Sequence, residues 1–343
     1  MRKSLVSRMA VVLAALGTAL SAGAAEQVNI YSYRQPFLIE PVLDEFTRET
    51  GIETQVVYAS SGLNERLERE GRNSPADIVL TSNTSSLMDL VGKGLTQPVE
   101  SAVLERNVPA QFRDADGNWF GLTTRARLIY ASKERVKAGE ITSYEELTDP
   151  KWKGRICTRS GKHPYTLSLI ASMIAHHGEA DTKQWLQGLK DNLARKPQGN
   201  DRAQVKAISE GECDLSLGNS YYFGNMITNT EQPEQIEWAE SVNLVFPNQG
   251  DRGTHMFISG AALTRYAPHR GNAIKLLEFL SGEDAQYLYA EKNFEFPVRP
   301  GTQRSELIRQ HMGAFKEDKL SITEIATHVP TASRLVDEVQ FDF

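Results

Sequence analysis

The stretch Thr123–Ser132, TTRARLIYAS, decides how the rest of the chain is arranged. It is rich in β-branched, aromatic and apolar residues and holds no glycine or proline, so it reads as one extended segment that runs on without a tight turn. Before it, strand and helix patterns alternate. Val28–Tyr31 is a short apolar run; Ile39, Val42, Leu43 and Phe46 then recur at i, i+3, i+4 and i+7, and Gly51 closes that helix. An extended run at Glu53–Tyr58, a helix around Leu63 and Leu67, a strand at Asp77–Thr81 and a helix at Ser85–Val91 follow. After Trp152 a new series begins: strand Gly154–Thr158, helix Leu167–His176, helices around Trp185–Leu189 and Ala203–Glu210, and strand Cys213–Leu217. The glycine-rich return Asn248–Gly253 leads into HMFISGAAL, and helices at Asn272–Leu280 and Asp284–Glu291 carry the chain back to where it started. Alternating strands and helices imply parallel sheets, and TTRARLIYAS is the crossing between two α/β lobes. The cleft between such lobes, at the carboxyl ends of their strands, is where a ligand is expected.

The expected division is a leader at 1–24, a first lobe at 25–124 and 252–302, a second lobe at 125–251, and a segment at 303–343 that packs on the second lobe. The leader rests on Arg2, Lys3 and Arg8, on the apolar stretch Met9–Leu20, too short to span a bilayer, and on the small-x-small sequence Ala22-Gly23-Ala24. The mature chain is then a soluble, exported one. The whole chain has 38 basic and 44 acidic residues, a formal charge of -6; without the leader's three basic residues the balance is 35 against 44, or -9. That acidity argues against nucleic acid and permits a cation, although it is also the ordinary route to solubility. Cys157 and Cys213 are the only cysteines, at a spacing that fits no zinc pattern; in an oxidising compartment they either bridge or stay free. Phe341 and Phe343 suggest an ordered tail.

Three tyrosines stand where the cleft rule places a ligand. Tyr221 and Tyr222 follow the strand Cys213–Leu217, and Tyr165 follows Gly154–Thr158, so both loops open on one edge of the second sheet. Ferric ion is a small, hard acid that favours anionic oxygen, and a bound cation can drive the proton from a phenol that ordinarily ionises near pH 10. Three phenolates would neutralise a trivalent ion. An additional anion would complete its coordination, and arginine grips planar oxyanions with a bidentate fork. Arg125 in the crossing is the candidate clamp, followed by Arg127. The plainer reading of these tyrosines is packing, or aromatic walls for an organic ligand.

The segments YSYRQPFL, NSPADIVLTS, TTRARLIYAS, HPYTLSLIASMI, GNSYYFG and GTHMFISGAAL resemble those of the bacterial periplasmic ferric-iron-binding proteins, through essentially the whole mature chain. The adjacent tyrosine pair, the single upstream tyrosine and the R-x-R crossing are the most specific elements. The resemblance implies a two-lobed type II periplasmic binding fold, Fe(3+) held by Tyr165, Tyr221 and Tyr222, and a synergistic anion such as carbonate on Arg125. It further implies delivery to an ABC permease in the inner membrane by a monomeric periplasmic protein. Many relatives carry a histidine where this chain has Gln35, and some a glutamate where it has Ser82 or Asn83. Either the anion and water fill those positions or Tyr33 swings in as a ligand. His163, near Tyr165, is a cleft-lining candidate beside Gln35. His176 and His177 end a helix, where imidazolium meets the negative dipole end, and His255 reads as a hinge or packing residue.

An enzyme finds little support: there is no G-x-S-x-G elbow, no H-E-x-x-H and no phosphate-cradling loop. The same fold carries polyamines, thiamine and oxyanions, because fold does not fix cargo. Polyamine binding calls for cleft carboxylates, and oxyanion binding for arginine without clustered phenols.

Overall fold

The computed structural model describes residues 26–343; the leader expected at 1–24 lies outside the described residues. Strand β1 (Gln27–Ser32) is followed by α1 (Pro36–Thr50), which starts on a proline and ends at Gly51 with a φ of 72°. That left-handed turn favours glycine. Then come β2 (Glu53–Tyr58), α2 (Leu63–Glu70), β3 (Ile78–Thr81), α3 (Thr84–Gly92) and α4 (Ala102–Asn107). The Asn83 side chain caps α3 by accepting from the Ser86 N–H at 2.9 Å. The crossing is a single 13-residue strand, β4 (Phe120–Ser132), buried along its whole length.

The second part of the chain supplies β5 (Ile156–Cys157), α5 (Pro164–Asp191), α6 (Asp201–Ser209), β6 (Leu215–Asn219), α7 (Ser220–Ile227), α8 (Glu234–Glu240) and β7 (Val242–Val245). Within α5 two helices meet at Gly178, whose φ is 80°, which is why the sequence pattern shows two separate apolar stretches. The chain returns through β8 (Met256–Leu263), α9 (Arg270–Leu280), α10 (Glu283–Asn293) and β9 (Phe296–Pro297). It ends with α11 (Glu306–Met312) and α12 (Ile322–Glu338). The periodicity reading did not separate α4, α8, α11, α12, β7 or β9; β9 is two residues long, and α12 carries Pro330 in its interior, a residue that ordinarily argues against a helix.

Strand β4 belongs to two sheets. Its first half, Phe120–Ala126, pairs antiparallel with β8, and β9 lies on its other side at Thr123 and Thr124. Through β8 this half continues into the order β3-β1-β2. Its second half pairs antiparallel with β6 from Arg127 to Ala131 and with β7 from Ile129 to Ser132, and β6 pairs parallel with β5. Alternation along each strand then splits each core in two. Val28, Ile30, Ile78 and Leu80 meet α1 and α9, whereas Tyr31 and Val79 meet Leu63, Leu67, Leu87 and Leu90 on the opposite face. Ile129, Leu215 and Leu217 pack under α5 and α12, while Leu128 and Tyr130 pack against α6 and α7. Phe341 is buried in the α5 and α12 core, but Phe343 is 78% exposed. Among the described residues no helix is long and apolar enough to cross a membrane.

Cys157 and Cys213 form a disulfide with a Cα–Cα distance of 5.8 Å, closing a loop of sequence separation 56 around β5, α5 and α6. The sequence left this pairing open. Replacing both cysteines by serine is expected to cost about 2–4 kcal/mol through the freed entropy of the unfolded chain. A urea midpoint unchanged between oxidised and Cys→Ser protein would contradict it.

Candidate metal centre

Strand β6 runs two residues further than its apolar pattern suggests, because β4 offers it partners as far as Arg127 opposite Asn219. Helix α7 therefore starts at once, and Tyr221 and Tyr222 lie in its first turn, where a connecting loop was expected. That turn is bolted to β4. Ser220 Oγ accepts from the Ala126 N–H at 3.2 Å, and the Asn219 carbonyl accepts from the Tyr130 hydroxyl at 2.8 Å. The Tyr130 ring reaches it by packing against Gly218, where a Cβ would stand 2.3 Å from the ring. Tyr221 is buried, Tyr222 is half-buried, and their rings sit 4.1 Å apart.

Tyr165 likewise lies in a first helical turn, that of α5. His163 caps this helix, its Nδ1 accepting from the Tyr165 N–H at 3.1 Å, and Pro164 supplies a favourable φ. The Tyr165 ring is clamped edge-on between His163, at 4.7 Å, and Phe257, at 5.1 Å. The Arg125 guanidinium carbon lies 5.8 Å from the Tyr165 ring and 5.8 Å from the Tyr221 ring, so one cation stands between the two turns. Arg125 is 2% exposed; it donates to the Ser82 carbonyl at 2.6 Å and to Glu295 Oε1 at 3.4 Å, and its Nε has no partner.

The remaining candidates are dispersed. Arg127 is fully buried and donates to Asp201 Oδ2 at 2.9 Å and to Asn219 Oδ1 at 3.1 Å, which makes it part of the tyrosine turn's support. The Tyr33 hydroxyl donates to Asn64 Oδ1 at 3.0 Å and accepts from the Asn64 N–H at 2.9 Å. Tyr33 still lines a cleft of about 550 Å³ together with Ser82, Asn83, Asp89, His163 and Tyr165. Gln35 is exposed at the start of α1 and makes no capping hydrogen bond. His255 is buried beside Ser168 Oγ, 3.0 Å from its Nε2.

The family of bacterial extracellular solute-binding proteins matches residues 73–321. The chain belongs to that family. It is 42% identical over 317 residues to iron uptake protein A1 of Synechocystis, covering 92% of this chain and 88% of the relative. Among solved structures it is similar to the apo ferric ion-binding protein A of Pasteurella haemolytica, with 51% identity, a TM-score of 0.89 and coverage of 93% and 99% of the two chains. A Trichodesmium protein in complex with iron and citrate is 37% identical, with a TM-score of 0.87 and coverage of 92% and 99%. The fold is accordingly the two-lobed type II binding fold, and the solute-binding cleft is the place to look for chemistry.

In this solute-binding protein the adjacent phenols of Tyr221 and Tyr222 are held protonated. Burial, then the neighbouring phenols of Tyr165 and Tyr222, push Tyr221 well above the ordinary value of 10, and burial and Asp201 push Tyr222 up to about 12. Burial and the Arg159 cation lower His163 to about 3, which keeps it neutral. Two buried carboxylates support the site from opposite sides. Glu295 accepts from Arg34 at 2.8 Å, from Arg125 and from Thr123; Asp201 accepts from Arg127 and Arg159, both at 2.9 Å, and from the Asn219 N–H. Burial would raise both carboxyls, but the guanidiniums around them prevail and lower both. Arg34, Arg159, Asp201 and Glu295 were not singled out in the sequence. Arg159 carried a usable signal, since it stands at the carboxyl end of the same strand that led to Tyr165; Asp201 and Glu295 carried none.

Proposed function

We propose that this chain is the periplasmic ferric-ion-binding subunit of an ABC importer, that Tyr165, Tyr221 and Tyr222 are the iron ligands, and that Arg125 holds a synergistic anion. The observation that carries this reading is that two helix starts bring Tyr165 and Tyr221 to one buried guanidinium, with the Tyr222 ring beside that of Tyr221. Phenolate oxygen suits a hard trivalent cation, and three such charges balance it. Arg125, between the rings and with an unpartnered Nε, suits a small oxyanion such as carbonate that would fill coordination positions left by the tyrosines. The relatives' names, an iron uptake protein and a ferric ion-binding protein, agree with this cargo. Tyr33 is the first-lobe candidate ligand; it would have to leave Asn64 to serve. Closure of the lobes over the ion would present the inner-membrane permease with a surface distinct from that of the empty form, by differential affinity for the two states.

The test is direct. Mature protein mixed with ferric nitrilotriacetate should develop a visible phenolate-to-iron absorption band at one ion per chain; a colourless protein that takes up no iron sinks the reading. A pH dependence follows, with a definite sign. Tyr221 and Tyr222 have raised pKa values in the metal-free protein, so both carry protons at neutral pH and must lose them on binding. Acid therefore favours the metal-free form. These two groups alone should weaken binding about a hundredfold for each pH unit lowered, at fixed free ferric ion activity. Proton release measured in weak buffer checks this: fewer than two protons per ion would contradict it.

A further inference from the structure

Beyond the three tyrosines and Arg125, the second lobe holds a buried charge cluster that the ligand reading does not use. Asp201 is fully buried at the first position of α6. Its Oδ1 accepts from Arg159, its Oδ2 accepts from Arg127 and from the Asn219 N–H, and all three distances are 2.9 Å. Each donor comes from a different part of the lobe: Arg127 from β4, Asn219 from the end of β6, and Arg159 from the chain just after β5. Asn219 stands immediately before the α7 turn that holds Tyr221 and Tyr222. Arg159 stands just before the α5 turn that holds Tyr165. One carboxylate thus ties together the two backbone turns that present the phenols.

Arg159 does more than complete the tie. Its guanidinium carbon lies 5.3 Å from the centre of the Tyr165 ring, within cation–π range, and the residue is 8% exposed. The cluster has two guanidiniums for one carboxylate, so an unbalanced positive charge remains beside the phenols. Arg127 already lies on the Asp201 and Asn219 side, which leaves Arg159 as the member turned toward the tyrosines.

We propose that Arg159 is a positioning residue of the metal centre: through Asp201 it fixes the Tyr165 turn relative to the Tyr221–Tyr222 turn, and its charge sets the donor strength of the phenolates. The inference rests on the tyrosines being ferric ligands. A cation beside a phenolate stabilises its electrons, lowers its donor energy and moves the phenolate-to-iron absorption to shorter wavelength. Removing that cation does the reverse. Outer partners that orient a ligand typically change metal affinity 10–100-fold.

The experiment uses the mature protein, its Arg159→Gln and Arg159→Lys variants, and ferric nitrilotriacetate as the iron source. Arg159→Gln leaves Asp201 paired with Arg127 and the Asn219 N–H, so the fold should survive. Its ferric affinity should drop at least about tenfold and its visible maximum should move to longer wavelength. Arg159→Lys keeps the charge without the planar fork; its maximum should return to the wild-type position, with intermediate affinity. Wild-type affinity and an unmoved band in Arg159→Gln would overturn the proposal. So would a loss of affinity with the band unmoved and no recovery in Arg159→Lys, which would make Arg159 a support for the fold alone. If Arg159→Gln does not fold, Arg159→Lys decides: a wild-type band with measurable binding supports the proposal, and a shifted band or lost binding overturns it. A wild-type protein that forms no coloured ferric complex would instead remove the tyrosine reading itself, and the two failures are distinct.

Discussion

Replacing Tyr221 and Tyr222 together by phenylalanine is expected to abolish tight ferric binding while leaving the protein folded. The change removes two hydroxyl oxygens and nothing else. Both rings belong to the core that joins α6, α7 and Phe294, and neither hydroxyl is among the bonds that hold the α7 turn to β4. The turn is fixed by Ser220, Asn219 and Tyr130, so the phenylalanine rings should occupy the same places. The cost then falls on binding. Loss of an outer partner of a ligand typically weakens metal affinity 10–100-fold, so loss of a direct anionic ligand should exceed about a hundredfold, and loss of two about ten-thousandfold. One phenolate and an anion would remain to meet a trivalent charge. Competition titration against nitrilotriacetate measures the affinity, and circular dichroism with thermal unfolding checks the fold. A folded double variant that still binds ferric ion within tenfold of wild type would refute the ligand assignment.

The second large effect is expected at Glu295. Its carboxylate is fully buried and, among the described residues, is the only acidic group bonded to the buried guanidiniums of Arg34 and Arg125. Paired charges inside a protein add little net stability, but removing one partner leaves the others uncompensated, at a cost of about 3–5 kcal/mol. In Glu295→Ala, Arg34 would keep only Ser259 and Arg125 only the Ser82 carbonyl. The thermal midpoint should fall by roughly 10 °C, and Arg125 should lose its place between Tyr165 and Tyr221. By contrast Glu45→Ala, at an exposed pair with Arg48, should leave the midpoint where it is. A loss below about 1 kcal/mol at Glu295 would show that the cluster relaxes or admits water. The pH dependence has a definite sign. The folded protein lowers the Glu295 pKa below its ordinary 4.5, so the stabilisation is complete above that value and is lost as pH falls through the folded value.

What was legible in the sequence was what depends on near neighbours. The α1 stripe of Ile39, Val42, Leu43 and Phe46 is buried as one face, and Gly51 ends that helix in the left-handed conformation that its position required. TTRARLIYAS is continuous strand. Tyr165, Tyr221 and Tyr222 stand at strand ends in one lobe, as their spacing indicated, although helical turns hold them and not loops. The boundary moved because β6 extends as far as its partner on β4 allows, and pairing is a property of two strands.

The two arginines of the R-x-R motif mark the boundary between local and non-local information most clearly. Period-2 alternation puts Arg125 and Arg127 on one face of a strand, and from the sequence both are candidates for the same anion, Arg125 first and Arg127 second. Between them β4 passes from one sheet to the other. Arg125 lies opposite Phe257 of β8 and reaches Glu295, 170 residues away, whereas Arg127 lies opposite Asn219 of β6 and reaches Asp201, 74 residues away.

By itself the sequence determined the alternation of strands and helices from β1 to α3, the extended crossing and the side of the second sheet on which three phenols gather, because hydrophobic period and turn chemistry act over a few residues. Only the tertiary structure decided that Cys157 reaches Cys213, that Tyr33 is tied to Asn64, that Arg159 stands beside Tyr165 on Asp201, and that Glu295 holds Arg125. Those pairings close long loops and bury charge, and which acid meets which base there is set by how the two sheets share one strand.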